Sequence, residues 1–507
     1  MRRERAHLGR HGFSWLAAAM ILALLTVATA GAAAADRRDL PPPVVDPHST
    51  EICQNSRLSY HGGWSSAGTE QMLGDVLHAT ARAPVTGASR AIYAATGQNV
   101  YLYDPITHTL SVHKAGDWRS DATAAFEVGV ASDVTIDAGA ALHLAQLESV
   151  ALWTGTASQL ASCPRASAVT YANNNWNLPQ PVDLVTSFGI RSVAGLTTTL
   201  LAVSSDGSLP NPETDGDVFL DTSLESLAYD TTFAATDLSL PQLSQLLWAA
   251  YGCGNHHASG GRGGLTCASA VANYYLTRRI YAAGPAAVHR FHNRVPPGTD
   301  LTTHDHRIEL VTAGDVRPAL RQAVSRLPVA PHYMILCVGS TGSWPEVEVG
   351  FAAVGALVQA SSMGLQGYLT TSLTSSEQSA IRAATGIPSS DIPMAIVSLG
   401  APDSGMGVGP HDPGREGLAL SVERGITFDD RVAIHYALPQ DGAVTLSVRD
   451  CLGRQVRRLL GATQDRGPHT VIWDGRDDQG QAVLSGVYFC RLEAAGMAGA
   501  TRVVVVR

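Results

Sequence analysis

Arg90-Ala91-Ile92-Tyr93-Ala94-Ala95 returns later in the same chain as Arg278-Arg279-Ile280-Tyr281-Ala282-Ala283. The echo extends both ways. Upstream, the Leu73–Thr80 stretch Leu-Gly-Asp-Val-Leu-His-Ala-Thr matches Leu-Ser-Gln-Leu-Leu-Trp-Ala-Ala over Leu243–Ala250. Downstream, His108 precedes Gly116-Asp117-Trp118-Arg119 by the same interval that separates His306 from Gly314-Asp315-Val316-Arg317. Asp137-Ala138-Gly139 and Glu348-Val349-Gly350 then each open a run of small, helix-forming residues. A repeat of roughly 150–180 residues is too long for a solenoid unit and has the size of a domain. The chain therefore reads as two tandem copies of one α+β unit, joined as an intrachain pseudo-dimer.

Within each copy a helical pattern leads into strands rich in aromatic and β-branched residues, with Asp104-Pro105 as a turn between strands. Longer helices follow Gly139 and Gly350, where Ala, Leu and Gln recur. Each copy closes on an apolar strand, read as Leu200–Val203 and Met394–Leu399. Proline-rich 36–69 reads as an N-terminal arm, 70–210 as the first, divergent unit and 217–402 as the second. Residues 403–425 form a linker. Beyond it the period changes to two in Val432–Tyr436, Val444–Val448, Thr470–Trp473, Val487–Leu492 and Arg502–Val506. Glycine-bearing turns separate these segments, so 426–507 reads as an all-β sandwich.

The 507 residues are 45% hydrophobic and 16% charged, a globular composition. A formal charge of −9 with no Lys/Arg-rich run excludes a nucleic-acid surface. Lys114 is the sole lysine, so arginine supplies the remaining positive charge. At the N-terminus, Arg2, Arg3, Arg5 and Arg10 precede apolar Phe13–Ala30, and Ala33-Ala34-Ala35 stands before Asp36. That pattern predicts a signal peptide (1–35) cleaved after Ala35, and hence a secreted or cell-surface protein; an uncleaved anchor is the alternative. Export permits disulfides. Cys253 and Cys267 flank a Gly/His-rich segment and form the candidate pair, whereas Cys337 sits in an apolar run as a buried thiol. His256, His257, His289, His292, His304 and His306 cluster in sequence. A His289-x-x-His292 spacing on a strand points the rings to opposite faces, however, and no metal site is expected.

Two resemblances add to this reading. Leu438-Pro439, Gly442, Asp450, Gly453-Arg454, Trp473-Asp474-Gly475, Asp478, Gly480 and Ser485-Gly486-Val487-Tyr488 resemble the FlgD-type immunoglobulin-like module. That implies a C-terminal structural or sorting module engaging secretion or surface machinery. Leu243–Gly252, Leu265-Thr-Cys-Ala-Ser-Ala270, Ala330-Pro331, Gln359-Ala360, Gly364-Leu365 and Leu399-Gly400-Ala401-Pro402 resemble the nitroreductase family, especially its SagB-type dehydrogenase branch. The first copy matches more weakly through Ala83-Pro84-Val85-Thr86.

The second resemblance implies FMN between two units, with Arg262, Ser269, Gly364 and Leu365 as its contacts. It also implies a phosphate-binding Arg-x-Ser-x-Arg stretch before the first helix. The second copy has Glu225–Phe233 there, without arginine, and the first is aligned at Ala67-Gly68-Thr69-Glu70. Replacement cations are Arg262, Arg278, Arg90 and Lys114. Two functional readings follow. One is a secreted nitroreductase-like protein that has lost catalysis and binds a small ligand or serves structurally. The other is an exported FMN-dependent oxidoreductase. Catalytic residues are not assigned.

Overall fold

The computed structural model describes residues 37–403 and 419–505. Outside the description within these ranges are 44–47, 66–67, 155–157, 199–205, 217, 228–230, 259–261, 270, 272, 295–303, 423–425, 428–431, 439–440, 451–454, 484–485 and 495–496. The predicted signal peptide and the Leu200–Val203 strand lie outside the described residues.

The chain divides into two compact units, one built from residues up to Gly400 and a smaller one from Ala401 onward together with Thr232–Thr236. The larger unit is mixed α/β. Its first half contributes β1 (Arg37–Asp39), α1 (Thr50–Ser56), α2 (Glu70–Ala81), β2 (Arg90–Thr96), β3 (Asn99–Asp104), β4 (Thr109–Ala115) and β5 (Phe126–Ser132). After these come α3 (Thr135–Ala151), β6 (Ser158–Pro164), α4 (Ala166–Asn175) and β7 (Leu184–Ser192). The second half contributes α5 (Leu220–Glu225), α6 (Leu240–Tyr251), a β8/β9 hairpin (Cys253–Ala258, Arg262–Leu265), β10 (Ile280–Ala283), β11 (Ala287–Arg294) and β12 (His304–Ala313). It ends with α7 (Arg317–Ala323), β13 (His332–Val338), α8 (Ser343–Ser362), β14 (Gln366–Thr370), α9 (Ser375–Thr385) and β15 (Ile392–Gly400).

The two sheets share one strand order. The first runs β1-β4-β3-β2-β5-β7-β6 and the second β12-β11-β10-β13-β15-β14. Setting β1 aside, each strand of one has its counterpart at the same place in the other. The helix preceding each edge strand also corresponds, α3 before β6 and α8 before β14. Met394–Leu399 falls within β15. The closing strand of the first half is β7, which ends before the predicted Leu200–Val203.

Local chemistry explains where the helices start and stop. Ser239 and Gln242 form a capping box that opens α6, and Thr374 and Glu377 do the same for α9. Gly386 ends α9 in the left-handed conformation at φ 73°.

The central helices α3 and α8 lack a polar face. Ile136–Ala151 is buried without a break and α8 is buried from Val347 to Ala360, as expected of helices enclosed on all sides. They meet at glycines. A Cβ on Gly139 would stand 2.1 Å from the Val347 carbonyl oxygen, and one on Gly350 would stand 2.1 Å from the Ile136 carbonyl oxygen and 3.0 Å from Gly139 Cα. The shorter helices α1 and α5 also meet reciprocally at their starts. Thr50 N–H donates to the Val218 carbonyl and Leu220 N–H to the His48 carbonyl, each at 3.0 Å. Among the described residues no helix is long and apolar enough to cross a membrane.

The smaller unit is all-β. β16 (Ala419–Val422), β18 (Val432–Leu438) and β21 (Gly467–Trp473) form one sheet. β17 (Ile426–Thr427), β23 (Met497–Val505), β22 (Gly486–Ala494), β19 (Gly442–Asp450) and β20 (Gln455–Gln464) form the other. Ile434, Leu446, Val448, Trp473, Leu492 and Val503 fill the space between, and Trp473 Nε1–H donates to the Arg476 carbonyl at 2.9 Å. β20 was not expected from the sequence. Its solvent-facing edge carries Arg457, Arg458, Gly461 and Gln464, which mask the alternation.

The glycine crossing generates a prediction. Gly139→Val or Gly350→Val drives a side chain into backbone that has no rotamer to yield, which costs about 3 kcal/mol or more. Gly195→Ala, where nothing lies within 4 Å of an added Cβ, costs only the strain of its positive φ, about 1 kcal/mol. Urea unfolding of the three variants checks the order.

Candidate functional site

The first turn of each central helix carries an acid, and each acid holds a loop of its own half in place. Asp137, on α3, accepts from Thr86 N at 2.6 Å, Gly87 N at 3.0 Å and Thr86 Oγ1 at 2.6 Å. Glu348, on α8, is fully buried. It accepts from the Tyr251 hydroxyl and from Leu276 N at 3.4 Å, with Ser269 also bonded to it. Burial pushes the Glu348 carboxyl up to about 7, against the lowering effect of those donors. The loop it anchors contains two non-glycine residues at positive φ, Tyr274 at 52° and Arg278 at 58°. Such backbone persists only where its surroundings over-determine it.

A groove and an arginine-bearing region adjoin these loops. The first is a groove of about 310 Å³ lined by Pro84, Val85 and Thr86 of one half and by Arg326 and Tyr368–Ser372 of the other. Thr86 Oγ1 lies 2.6 Å from Thr371 Oγ1, which joins the two halves across its floor. Arg326 is its cation, but Nη2 donates to the Thr371 and Ser372 carbonyls at 2.9 and 3.3 Å, and Nη1 pairs with Glu377.

The second region lies where the N-terminal arm runs beside β6. Ser59 bridges Ser162, and Tyr60 N–H donates to the Ser162 carbonyl at 3.0 Å. Arg57 is buried, and its Nε and Nη2 each donate at 2.8 Å to the Thr266 and Leu265 carbonyls. The exposed His61 sits 3.2 Å from Cys163 Sγ. Burial, then Arg165 and Arg191, hold the imidazole below its ordinary value. Burial also pushes the Cys163 thiol up to about 12, so it stays protonated and is no nucleophile. Arg191 lies over the Tyr60 ring at 4.9 Å and donates from Nη1 to the Gly62 carbonyl at 2.5 Å; its Nη2 has no hydrogen bond among the described residues.

This region corrects the alignment of the first copy. Arg57-Leu58-Ser59-Tyr60-His61 has the Arg-x-Ser spacing, with His61 in place of the second arginine; Ala67–Glu70 is not its counterpart. Backbone pairing supports the register. Ser65 N–H donates to the Ile190 carbonyl at 2.6 Å, and Ala234 N–H donates to the Ala401 carbonyl at 3.0 Å. The bridges pair Ser65 with Ile190 and Phe233 with Pro402, which sets Arg57 against the Glu225–Ser226 step, where no cation stands. The signal was readable in the sequence but lay inside a stretch taken for an arm.

The other expected residues fall as follows. Arg262 is in β9 and its side chain is outside the described residues. Ser269 accepts from Asn273 N and Tyr274 N at 3.1 and 3.2 Å, so it shapes the loop. Gly364 has φ 66° with nothing within 4 Å of an added Cβ. Its conformation requires glycine; close approach of another group does not. Leu365 is buried, and its N–H caps α8 at the Ala360 carbonyl, 2.8 Å away.

The substitute cations are committed elsewhere. Arg90 donates to the Ala81, Ala83 and Pro84 carbonyls, Arg278 to His292 Nδ1 at 3.0 Å, and Lys114 to the Asn175 carbonyl above the Trp118 ring. Arg119 and Arg317 form two-pronged pairs with Asp117 and Asp315. Cys253 and Cys267 are buried thiols in this structure, and Cys253 Sγ donates to the Asn293 carbonyl at 2.9 Å.

The histidines are ordered by hydrogen bonds. His292 Nδ1 accepts from Arg278 and Arg307, so Nε2 carries the proton and donates to Glu309 at 2.7 Å. His306 Nε2 contacts Ser244 Oγ at 2.7 Å, while that hydroxyl donates to the Pro210 carbonyl; the imidazole is therefore the donor. Among the described residues no cluster of three or more His, Cys, Asp or Glu is placed to hold a metal ion.

Residues 423–497 match the FlgD Ig-like domain family. Among solved structures, the chain is similar to a protein classed as a nitroreductase from Anabaena variabilis, with 10% identity, TM-score 0.48 and coverage of 73% of this chain and 94% of the other. It is also similar to one so classed from Ralstonia eutropha, with 21% identity, TM-score 0.31 and coverage of 41% and 97%. The Vibrio harveyi NADPH:FMN oxidoreductase matches with 16% identity, TM-score 0.25 and coverage of 38% and 72%. No curated protein matches the sequence.

The buried titratable groups predict an acid-sensitive fold. Burial holds His306 and His332 down to about 4. The unfolded chain binds more protons between 6.5 and 4, so their contribution is complete above 6.5 and is lost as pH falls, by about 3 kcal/mol each at the limit. Glu348, raised from 4.5 to about 7, works the other way and costs stability as pH rises through that window. Stability measured by urea unfolding therefore falls from pH 7 to pH 5 less steeply than the histidines alone dictate. Glu348→Gln steepens this limb and His306→Gln flattens it.

Proposed function

We propose that the chain is an exported, tandem nitroreductase-like pseudo-dimer that keeps one of two equivalent cofactor sites and binds flavin there without turnover. The observation that carries this reading is the asymmetry of cations between the halves. Beside β6 stand Arg57 and Arg191, with Arg165 paired to Asp121 at 2.9 Å and His61 present as a neutral imidazole. The corresponding stretch Glu225–Phe233 holds no cation, and no lysine or arginine occurs between Arg191 and Arg262.

The fit to FMN therefore differs between the two places. At the threonine-lined groove it fails, because Arg326 is already neutralised by Glu377 and two carbonyls, leaving a phosphate without a partner. Beside β6 it succeeds. Arg191 Nη2 and His61 would hold the phosphate, while buried Arg57 keeps the Leu265–Thr266 loop in place and adds positive potential. Bound flavin would supply hydride uptake and release.

Binding without turnover is supported by the state of the acids. Asp137 and Glu348 are spent on loop backbone, and the Cys163 thiol is buried, so none of them is free to move a proton to a ligand. The alternative, an exported FMN-dependent oxidoreductase, uses the same single site and is favoured by the same cations. The basic-then-apolar pattern of the first 35 residues supports export for either reading, and the match to the FlgD Ig-like domain family supports a sorting or surface-attachment role. A single chain supplies both halves of each site, so no second copy is needed.

Titrating the mature protein with FMN and following the 450 nm band tests the proposal. One flavin per chain is expected, with Arg191→Ala weakening it roughly tenfold. Two flavins per chain, or none, overturns the reading. NADPH oxidation by the loaded protein would establish the oxidoreductase alternative.

A further inference from the structure

Arg57 is 2% exposed, and its guanidinium meets only neutral groups: the Thr266 and Leu265 carbonyls at 2.8 Å, and Ser59 Oγ at 3.4 Å from Nη1. Among the described residues, the groups that act on its charge are the Cys163 and Cys267 thiols and the Tyr274 hydroxyl, and no carboxylate is among them. A guanidinium taken out of water without a counter-charge is strongly unfavourable. Three further side chains beside it have polar atoms left over. Gln54, one helical turn before Arg57, donates from Nε2 to the Gly355 carbonyl at 3.1 Å, and its Oε1 has no partner among the described residues. A Cβ on Gly355 would stand 3.6 Å from His143 Nε2, so the imidazole borders the same spot. His143 is fully buried, neither of its ring nitrogens has a partner among the described residues, and the charge acting on it is that of Arg57. Gln146, one turn further along α3 and also fully buried, has both amide atoms in the same condition. Native interiors rarely leave buried polar atoms unmatched.

We propose that the interior beside Arg57, between α1, α3 and α8, binds one monovalent inorganic anion, chloride, as the counter-ion of that arginine. Chloride accepts hydrogen bonds from any direction and balances the guanidinium charge, while an imidazole N–H of His143 and the amide N–H of Gln146 add neutral donors. Because neither amide atom of Gln146 is committed, that group is free to turn its nitrogen toward the ion. Gln54 Oε1 and the second imidazole nitrogen are lone-pair acceptors in the same place, and they oppose an ion of higher charge such as sulfate or phosphate. Full burial selects in the same direction, since the cost of stripping water from an ion rises steeply with its charge.

Flavin binding beside β6 places its phosphate on Arg191 and His61, so this inference does not rest on it. Crystals of the mature, flavin-free protein grown in bromide test it through the anomalous signal of the ion. One bromide peak is expected within hydrogen-bonding reach of Arg57 and His143. Water alone at that place, or bromide at Arg191 and nowhere inside, overturns the proposal. Exchanging sodium gluconate for sodium chloride at constant ionic strength gives a second readout, in which the melting temperature rises saturably with chloride. His143→Phe and Gln146→Leu each weaken the apparent chloride affinity roughly tenfold, whereas Arg191→Ala leaves it in place. No chloride dependence, one that survives His143→Phe unchanged, or one that Arg191→Ala removes overturns the proposal. The bromide experiment uses the unaltered chain, so a variant that fails to fold leaves the test standing.

Discussion

Everything in the larger unit depends on two helices approaching closely enough for backbone to touch backbone. At the Gly139–Gly350 crossing there is no room for a Cβ on either side, and the flanking surfaces are alanine, valine and leucine buried throughout. Close-packed interiors tolerate little change in volume, so the crossing fixes the distance between the two sheets. It also fixes where the first turns of α3 and α8 emerge. Asp137 and Glu348 sit on those turns, and the loops they hold form one wall of each cleft. The same contact that makes the unit compact thus positions its binding surfaces.

The symmetry of this scaffold is real in strand order and broken in chemistry. Asp137 is satisfied by three donors from a short threonine–glycine turn. Glu348, longer by one methylene, reaches into a strained loop and is buried deeply enough to resist ionisation. Beside β6 the arm brings positive charge; at the other cleft the corresponding chain brings none. An arginine buried against two carbonyls, as Arg57 is, cannot be replaced by serine without leaving those carbonyls unpaired. The two loops therefore diverge along with the cations: the Leu265–Thr266 carbonyls face Arg57, whereas those of Ala83 and Pro84 are met from within the same half by Arg90.

How much of this was legible in the sequence follows from the range of each interaction. The echo was legible because Ile92–Ala95 and Ile280–Ala283 both lie in central strands, where burial on both faces restricts the residues tolerated. The glycines of the central helices were legible for the same reason. The terminal module was legible because its turns demand glycine at positive φ, as at Gly475 and Gly480. The arm was not, since proline-rich composition suggests extended chain, and nothing local reveals that Ser59 will bridge Ser162 or that Arg57 will be buried on a loop far along the chain. Ser269 and Gly364 were legible as special positions, and the structure shows local work for each: Ser269 bonds Glu348 and the Asn273–Tyr274 backbone, and Gly364 turns the chain at positive φ.

The tandem arrangement proposed above would explain why such divergence is tolerated. In a dimer of identical chains, any substitution appears in both sites at once, so losing a phosphate-binding arginine empties both. In a single chain with two unequal halves, Arg57 and Arg191 stand beside β6 while the corresponding stretch Glu225–Phe233 holds no cation. The freed cleft keeps its shape, because the Gly139–Gly350 crossing and the Asp137-anchored turn do not depend on what is bound there. Relieved of a charged occupant, its lining can become what hydroxyl side chains make it, a neutral polar groove held open by a scaffold whose rigidity was set elsewhere.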